Sequence, residues 1–125
     1  MVRFWFVLGC VFSGLGVMAG AFAAHALRPK LSTDLLTVFE TGARYQIYHG
    51  LGLVAVAFAS DRWPLAHAQW AGWAFLAGIL LFSGSLYTLS LTGIRMMGAI
   101  TPLGGVCFLA GWMLLAWGVG MIGSN

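Results

Sequence analysis

Hydrophobic residues run through this chain in long blocks, not in the short alternation of a half-buried strand, and its rare charges mark where the blocks end. Residues 4–24 hold no Asp, Glu, Lys or Arg, nor do 45–60, 67–94 and 96–125. A helix needs about 20 mostly apolar residues to cross the roughly 30 Å hydrocarbon layer of a bilayer. The blocks therefore predict four helices, near residues 4–27, 33–60, 68–91 and 98–121.

The second block is short, and the residues ahead of it complete the helix. Pro29 closes the first helix, Ser32 or Thr33 can cap a new start, and Asp34 lies in a first turn where the helix dipole favours negative charge. Leu35, Leu36, Val38 and Phe39, then Ala43 and Ile47, continue as a helix that begins in the membrane interface and bends or tilts inward. Asp61, Arg62 and Pro64 make the second loop, and Thr92, Gly93 and Arg95 the third. With a start near Gly98 or Ala99, Pro102 falls among the first residues, whose N–H groups have no intrahelical partner, so Thr101-Pro102 reads as a start signal. Four crossings place both termini on one side.

Composition moves this pattern into a membrane. The chain is 61% hydrophobic and 7% charged, with a mean hydropathy of +0.93, whereas a soluble domain carries about 25% charged residues. The predicted fold is all-α, an integral membrane four-helix bundle with an interfacial helical extension at the start of helix 2, forming one domain over residues 1–125. The 18 Gly and 6 Trp fit that setting, since small residues let helices approach and Trp favours the headgroup region. Arg3, the apolar run after it and Ala21-Phe22-Ala23 also describe a secretory signal peptide. The uncharged run is long for a signal core, however, and three remaining helices would expose a Gly-rich face, so the first block is read as a retained helix.

The formal charge of +3 comes from six scattered basic residues with no run of five, which excludes a polybasic nucleic-acid patch and leaves anionic membrane lipids as the counter-charge. Arg3 and Arg62 lie on the terminal side, against Arg28, Lys30, Arg95 and possible help from Arg44 on the other, so the positive-inside rule puts the first and third loops in the cytoplasm and both termini outside. Cys10 and Cys107 sit in uncharged runs, as small apolar residues do, and no CxxC, HExxH, GxSxG or phosphate-loop pattern occurs. No catalytic residue, metal site or cofactor is predicted. The FSG match of Phe12–Gly14 with Phe82–Gly84 falls at different depths and is read as chance.

Stacking the helices in alternating directions gathers side-chain polarity at the end next to the first and third loops. His25 closes the first helix; Glu40, Arg44, Tyr45, Gln46, Tyr48 and His49 open the second; Ser83, Ser85, Tyr87, Thr88 and Ser90 close the third; Thr101 opens the fourth. The opposite half is built from apolar stretches such as 5–11, 53–59, 70–81 and 108–119. Glu40 and Arg44 stand four apart with the acid first, the better orientation for a helical ion pair, and Tyr48 extends their stripe while Tyr45 and His49 form its neighbour. His49 lies about 9 Å beyond Ala43 along the axis, which predicts a neutral ring below the headgroups and an Arg44 that is paired or snorkels. The candidate polar network, or headgroup and anion site, is His25, Glu40, Arg44, Tyr45, Tyr48, His49, Ser85, Tyr87 and Thr101.

The segments GAFAAHAL (20–27), FETGARYQIYH (39–49), FSGSLYTLSL (82–91), GAITPLGG (98–105) and AGW (110–112) resemble, in order, the domain-of-unknown-function 423 family. The resemblance implies a four-helix protein of the bacterial inner membrane, with an uncleaved first helix and no established activity.

Several functions compete for the polar end. Glu40 and Arg44 fit an ion pair that eases helix 2 into the bilayer; Arg44 with Thr101 and the start of helix 4 would instead bind an anionic headgroup. His25 and His49 lack a third spaced ligand for metal or haem. A proton relay through His25, Glu40, Tyr48 and His49 lacks a polar path in the opposite half, and no nucleophile pairs with a base at recognisable spacing. Trp5, Trp63, Trp70, Trp112 and Trp117 read as interface anchors or packing, and Gly16, Gly20, Ala24 with Ala74, Gly78 as small-residue faces for packing or self-association. The expected function is a non-catalytic accessory, assembly or lipid-contacting protein, with membrane lipids and a homo-oligomer or larger membrane complex as partners; the alternative is a small proton-coupled carrier or conduit centred on His25, Glu40, Arg44 and His49.

Overall fold

A computed structural model describes residues 1–63 and 66–124, nearly all of them helical and none of them in a strand. Four long helices result: α1 (Val2–Leu27), α2 (Thr33–Arg62), α3 (Ala66–Thr92) and α4 (Thr101–Gly120). The chain is an all-α membrane bundle, and α1, α3 and the stretch Arg95–Gly120 are each long and apolar enough to cross a bilayer. Phe6, Val7, Val17 and Met18 on α1 and Leu103, Val106, Leu109 and Met113 on α4 face outward. Such a continuous apolar exterior suits lipid and not water.

Local signals place the ends where the sequence suggests, with one shift. Ser32 caps α2, its Oγ accepting from the Leu35 N–H at 3.3 Å, and Asp34 lies in the first turn. α2 then runs as one uninterrupted α-helix of 30 residues, about 45 Å at 1.5 Å per residue. The interfacial extension therefore continues the span with no break in its hydrogen bonding. Gly93 ends α3 in the left-handed region at φ 72°, a conformation that costs glycine least. Arg95–Ala99 then winds as a 3₁₀ turn, so α4 opens at Thr101, later than Gly98 or Ala99, and Pro102 still falls in its first turn. Pro64 of the expected second loop lies outside the described residues.

Two stretches wind as π-helix, Ala23–Leu27 at the end of α1 and Ile79–Ser83 within α3. The second rephases α3 midway, and Ser83, its last residue, donates to the Gly42 carbonyl of α2 at 2.7 Å.

α1 lies along α2, α3 lies along α4, and the pairs join chiefly through α2 and α3. The α1/α2 seam runs through Gly9, Ser13 and Gly16 against Ala43, Ile47, Gly50 and Val54; a Cβ on Gly9 would lie 2.6 Å from the Gly50 carbonyl oxygen. Of the expected face Gly16, Gly20, Ala24, only Gly16 is in this seam: a Cβ on Gly20 would meet nothing within 4 Å, and Ala24 is exposed. The contact with α2 continues instead through Ala23 and Leu27, which pack on Phe39 and leave Gly20 and Ala24 off that face. Between α3 and α4, Gly104 sits on the backbone of Phe82, and Phe108 covers Gly78. The larger core cluster includes Trp5, Leu53, Phe75 and Phe108; a smaller one, Ala23, Leu27 and Phe39, lies under the first loop.

Gly104→Leu is expected to separate α3 from α4, because its Cβ would collide with main-chain atoms that cannot rotate away. Overpacking of this kind costs about 1–3 kcal/mol or more, read as a lowered thermal midpoint in detergent. Gly105→Leu, whose Cβ would meet nothing within 4 Å, is expected to keep the midpoint.

Candidate functional site

α2 carries five of the nine charged residues, Asp34, Glu40, Arg44, Asp61 and Arg62. It nevertheless occupies the middle of the bundle. Its buried face follows helical spacing through Phe39, Gly42, Ala43, Gln46, His49, Gly50 and Leu53, so Gln46 and His49 are polar residues on an otherwise apolar stripe. Inside hydrocarbon their bonding groups must find protein partners.

Each of the other helices supplies one. The Tyr87 hydroxyl of α3 donates to Gln46 Oε1 at 2.7 Å, and Gln46 Nε2 donates to the Phe12 carbonyl of α1 at 2.9 Å. From α4, the Trp112 indole N–H donates to His49 Nε2 at 3.1 Å, while His49 Nδ1 stands 2.8 Å from the Tyr45 carbonyl. A carbonyl only accepts and an indole N–H only donates, so the ring carries its proton on Nδ1 and is neutral. The neutral state expected for His49 is thus set by its partners. Phe108 stacks on the ring with centroids 3.4 Å apart and planes 6° from parallel.

A further junction ties α3 to α4. Ser85 Oγ donates to the Phe82 carbonyl at 2.9 Å, which leaves Thr101 to donate across the 2.6 Å contact between the two hydroxyls. Among the described residues no buried side-chain nitrogen or oxygen lacks a partner.

The nine residues expected to form a polar network divide accordingly. Tyr45, through its carbonyl, and His49 belong to the Trp112 junction; Tyr87 belongs to the Gln46 junction; Ser85 and Thr101 bond to each other. Tyr48 is exposed and packs its ring edge-on to Tyr45, with centroids 5.6 Å apart. His25 is exposed on the π turn, outside every hydrogen bond and ring contact among the described residues. The expected Glu40–Arg44 ion pair does not form: no N···O contact within 4.0 Å joins them. Arg44 projects outward while Glu40 is half-buried, so the one-turn spacing brings their backbones close but not their charged ends.

Gln46 and Trp112 carry the network's links between helices, yet neither was among the expected site residues. Gln46 was detectable as the amide on the Phe39, Ala43, Gly50 stripe; nothing local marks Trp112, since its partner is 63 positions away. The opposite half is also less uniformly apolar than its stretches suggest. There Trp5 Nε1 donates to Gln69 Oε1 at 2.7 Å, and Gln69 Nε2 donates to Ser60 Oγ at 3.0 Å, tying α1, α3 and α2.

Beside the His49 junction, α2 and α4 stand apart and leave a groove of about 620 Å³, lined by Tyr45, Tyr48 and His49 on one wall and Gly105, Leu109 and Trp112 on the other. That volume is within the roughly 300–1,000 Å³ of ligand-sized clefts.

Gln46→Leu is expected to leave the Tyr87 hydroxyl unpartnered and to remove the second bond on the Phe12 carbonyl, which keeps its bond within α1, and to cost about 1–2 kcal/mol, seen as a lower midpoint in detergent unfolding. A double-mutant cycle of His49→Phe and Trp112→Phe is expected to give a favourable coupling of about 0.6 kcal/mol, the usual size for an interhelical bond in a membrane.

Comparison with known proteins agrees with a membrane protein. The family described as a protein of unknown function, DUF423, matches residues 19–105, from the end of α1 to the start of α4. A UPF0382 membrane protein of Staphylococcus saprophyticus is 46% identical over 117 residues, 94% of this chain and 97% of the relative. The UPF0382 membrane protein YwdK of Bacillus subtilis is 46% identical over 115 residues, 91% of this chain and 94% of its own. No solved structure matches. The family description and these names carry no catalytic activity. Matched along nearly its whole length by bacterial membrane proteins, the chain belongs to the DUF423 family.

Proposed function

We propose that this multi-pass protein is a non-catalytic accessory, assembly or lipid-contacting component of a bacterial inner membrane, and that the polar residues inside it are structural. One observation carries the reading: the buried polar side chains among the described residues are all bonded within the bundle. Transport or acid–base chemistry through the interior would need a group free to exchange partners. His49 has both ring nitrogens engaged, Gln46 bonds through both its oxygen and its nitrogen, and Tyr87 donates its hydroxyl. The residues of a proton-coupled conduit are not linked: His25, Glu40 and Arg44 enter no hydrogen bond with His49 or with one another.

What remains for recognition is the exterior. With Arg28, Lys30 and Arg95 in the cytoplasm by the positive-inside rule, both termini are periplasmic, and the basic loops face anionic headgroups. Membrane lipids are the primary partners, and the exposed apolar faces of α1 and α4 suit a homo-oligomer or a larger membrane complex.

Proteoliposome flux separates this reading from the conduit. Vesicles containing the protein are expected to pass protons no faster than empty vesicles across pH 5.5 to 8, a range of roughly one unit or more around the usual His titration. Proton flux that rises with the protein and disappears in Glu40→Gln would overturn the accessory reading.

A further inference from the structure

We infer that the groove between α2 and α4 seats an acyl chain of an anionic phospholipid, whose phosphate is held by Arg44. The inference rests on the lipid-contacting reading and names its ligand and its site.

The groove exists because two helix pairs meet unequally. Small residues let α1 press on α2 and α4 press on α3, whereas the His49 and Phe108 rings hold α2 and α4 apart at their facing sides. The resulting cleft extends along α4 from Pro102 to Trp112, about 15 Å at 1.5 Å per residue. Most of its lining offers water little. Both nitrogens of His49 are engaged, the Trp112 N–H is directed at His49, and Gly105, Val106 and Leu109 supply no polar side chain. A site that gives water too few partners, in a solvent of acyl chains, fills with a chain.

At the shallow end the chemistry reverses. Arg44 immediately precedes Tyr45 and stands one turn before Tyr48, both of which line the groove. Its guanidinium has no ion-pair partner, and neither phenol donates a hydrogen bond among the described residues. A guanidinium fork and two hydroxyl donors match the acceptor-only oxygens of a phosphodiester, which Arg binds in a bidentate manner. Arg28, Lys30 and Arg95 belong to the loops at this same end and with Arg44 make four cations against the two acids Asp34 and Glu40, so the local charge disfavours a headgroup with its own ammonium. The chemistry selected is a phosphate with net negative charge above an acyl chain.

The test is lipid retention by the purified full chain, measured by native mass spectrometry against an equal mixture of phosphatidylglycerol and phosphatidylcholine with identical acyl chains. The wild type is expected to retain phosphatidylglycerol preferentially. Arg44→Gln is expected to reduce that retention about tenfold, the loss of a charge-assisted hydrogen bond, and to reduce phosphatidylcholine less, since the ammonium of that headgroup offsets the attraction of its phosphate to the guanidinium. Gly105→Leu, which places a side chain in open groove space, is expected to reduce both lipids together. Lipid-free unfolding checks that both variants keep the wild-type midpoint, since among the described residues the Arg44 side chain bonds to nothing and a Cβ on Gly105 meets nothing within 4 Å. Equal retention of the two lipids by the wild type, or wild-type retention by Gly105→Leu, would overturn the inference. Either result leaves the accessory reading intact, because proton flux is measured independently of which lipid is held.

Discussion

A polar atom in the hydrocarbon layer has no water to fall back on, and an unpaired group there costs several kcal/mol. α2 carries Gln46 and His49 on the face that α1, α3 and α4 enclose, and that constraint organises the bundle. The Phe12 carbonyl of α1, the Tyr87 hydroxyl of α3 and the Trp112 indole of α4 each satisfy one of these two side chains. The most charged helix of the chain is therefore at the centre, where neighbours can answer its polar groups, while the most apolar helices are outside. This is the arrangement of a soluble core turned outward: lipid replaces water as the solvent that the apolar surfaces meet.

Close packing supplies the remainder. With lipid tails as apolar as leucine, helices gain little from hiding hydrophobic surface and associate through shape and interhelical bonds. Glycine and serine along α1 and α2, and glycine facing aromatic rings between α3 and α4, give two tight pairs. Where α2 meets α4, an imidazole and a phenyl ring stand between the backbones instead. One mode of contact closes a seam and the other props it open, so the seam and the groove follow from the same division between small and aromatic residues.

The division also separates interior from exterior chemistry. Inside, hydroxyl, amide, imidazole and indole groups are committed to one another, which fixes the register of four helices more sharply than apolar packing could. Outside, the charged end of Arg44, the ring of His25 and the hydroxyls of Tyr45 and Tyr48 hold no hydrogen-bond or ion-pair partner among the described residues. Unspent donors at the rim of an apolar surface are suited to an amphipathic ligand, with acceptor and chain in the same molecule.

The sequence by itself determined the number of helices, the capped start of α2 at Thr33 and the apolar exterior, because block length, capping residues and scarcity of charge are local properties. It also pointed to His49 as a neutral ring, since depth alone makes a charged one costly. It misjudged Glu40 and Arg44, because spacing fixes how near two backbones lie and not where long side chains extend. Only the tertiary structure decided that Gln46 meets Tyr87, that Trp112 meets His49 and that Gln69 joins Trp5 to Ser60. Those pairings depend on which faces of different helices come together and at what height. That information is spread over residues up to 64 positions apart and appears only when the helices pack.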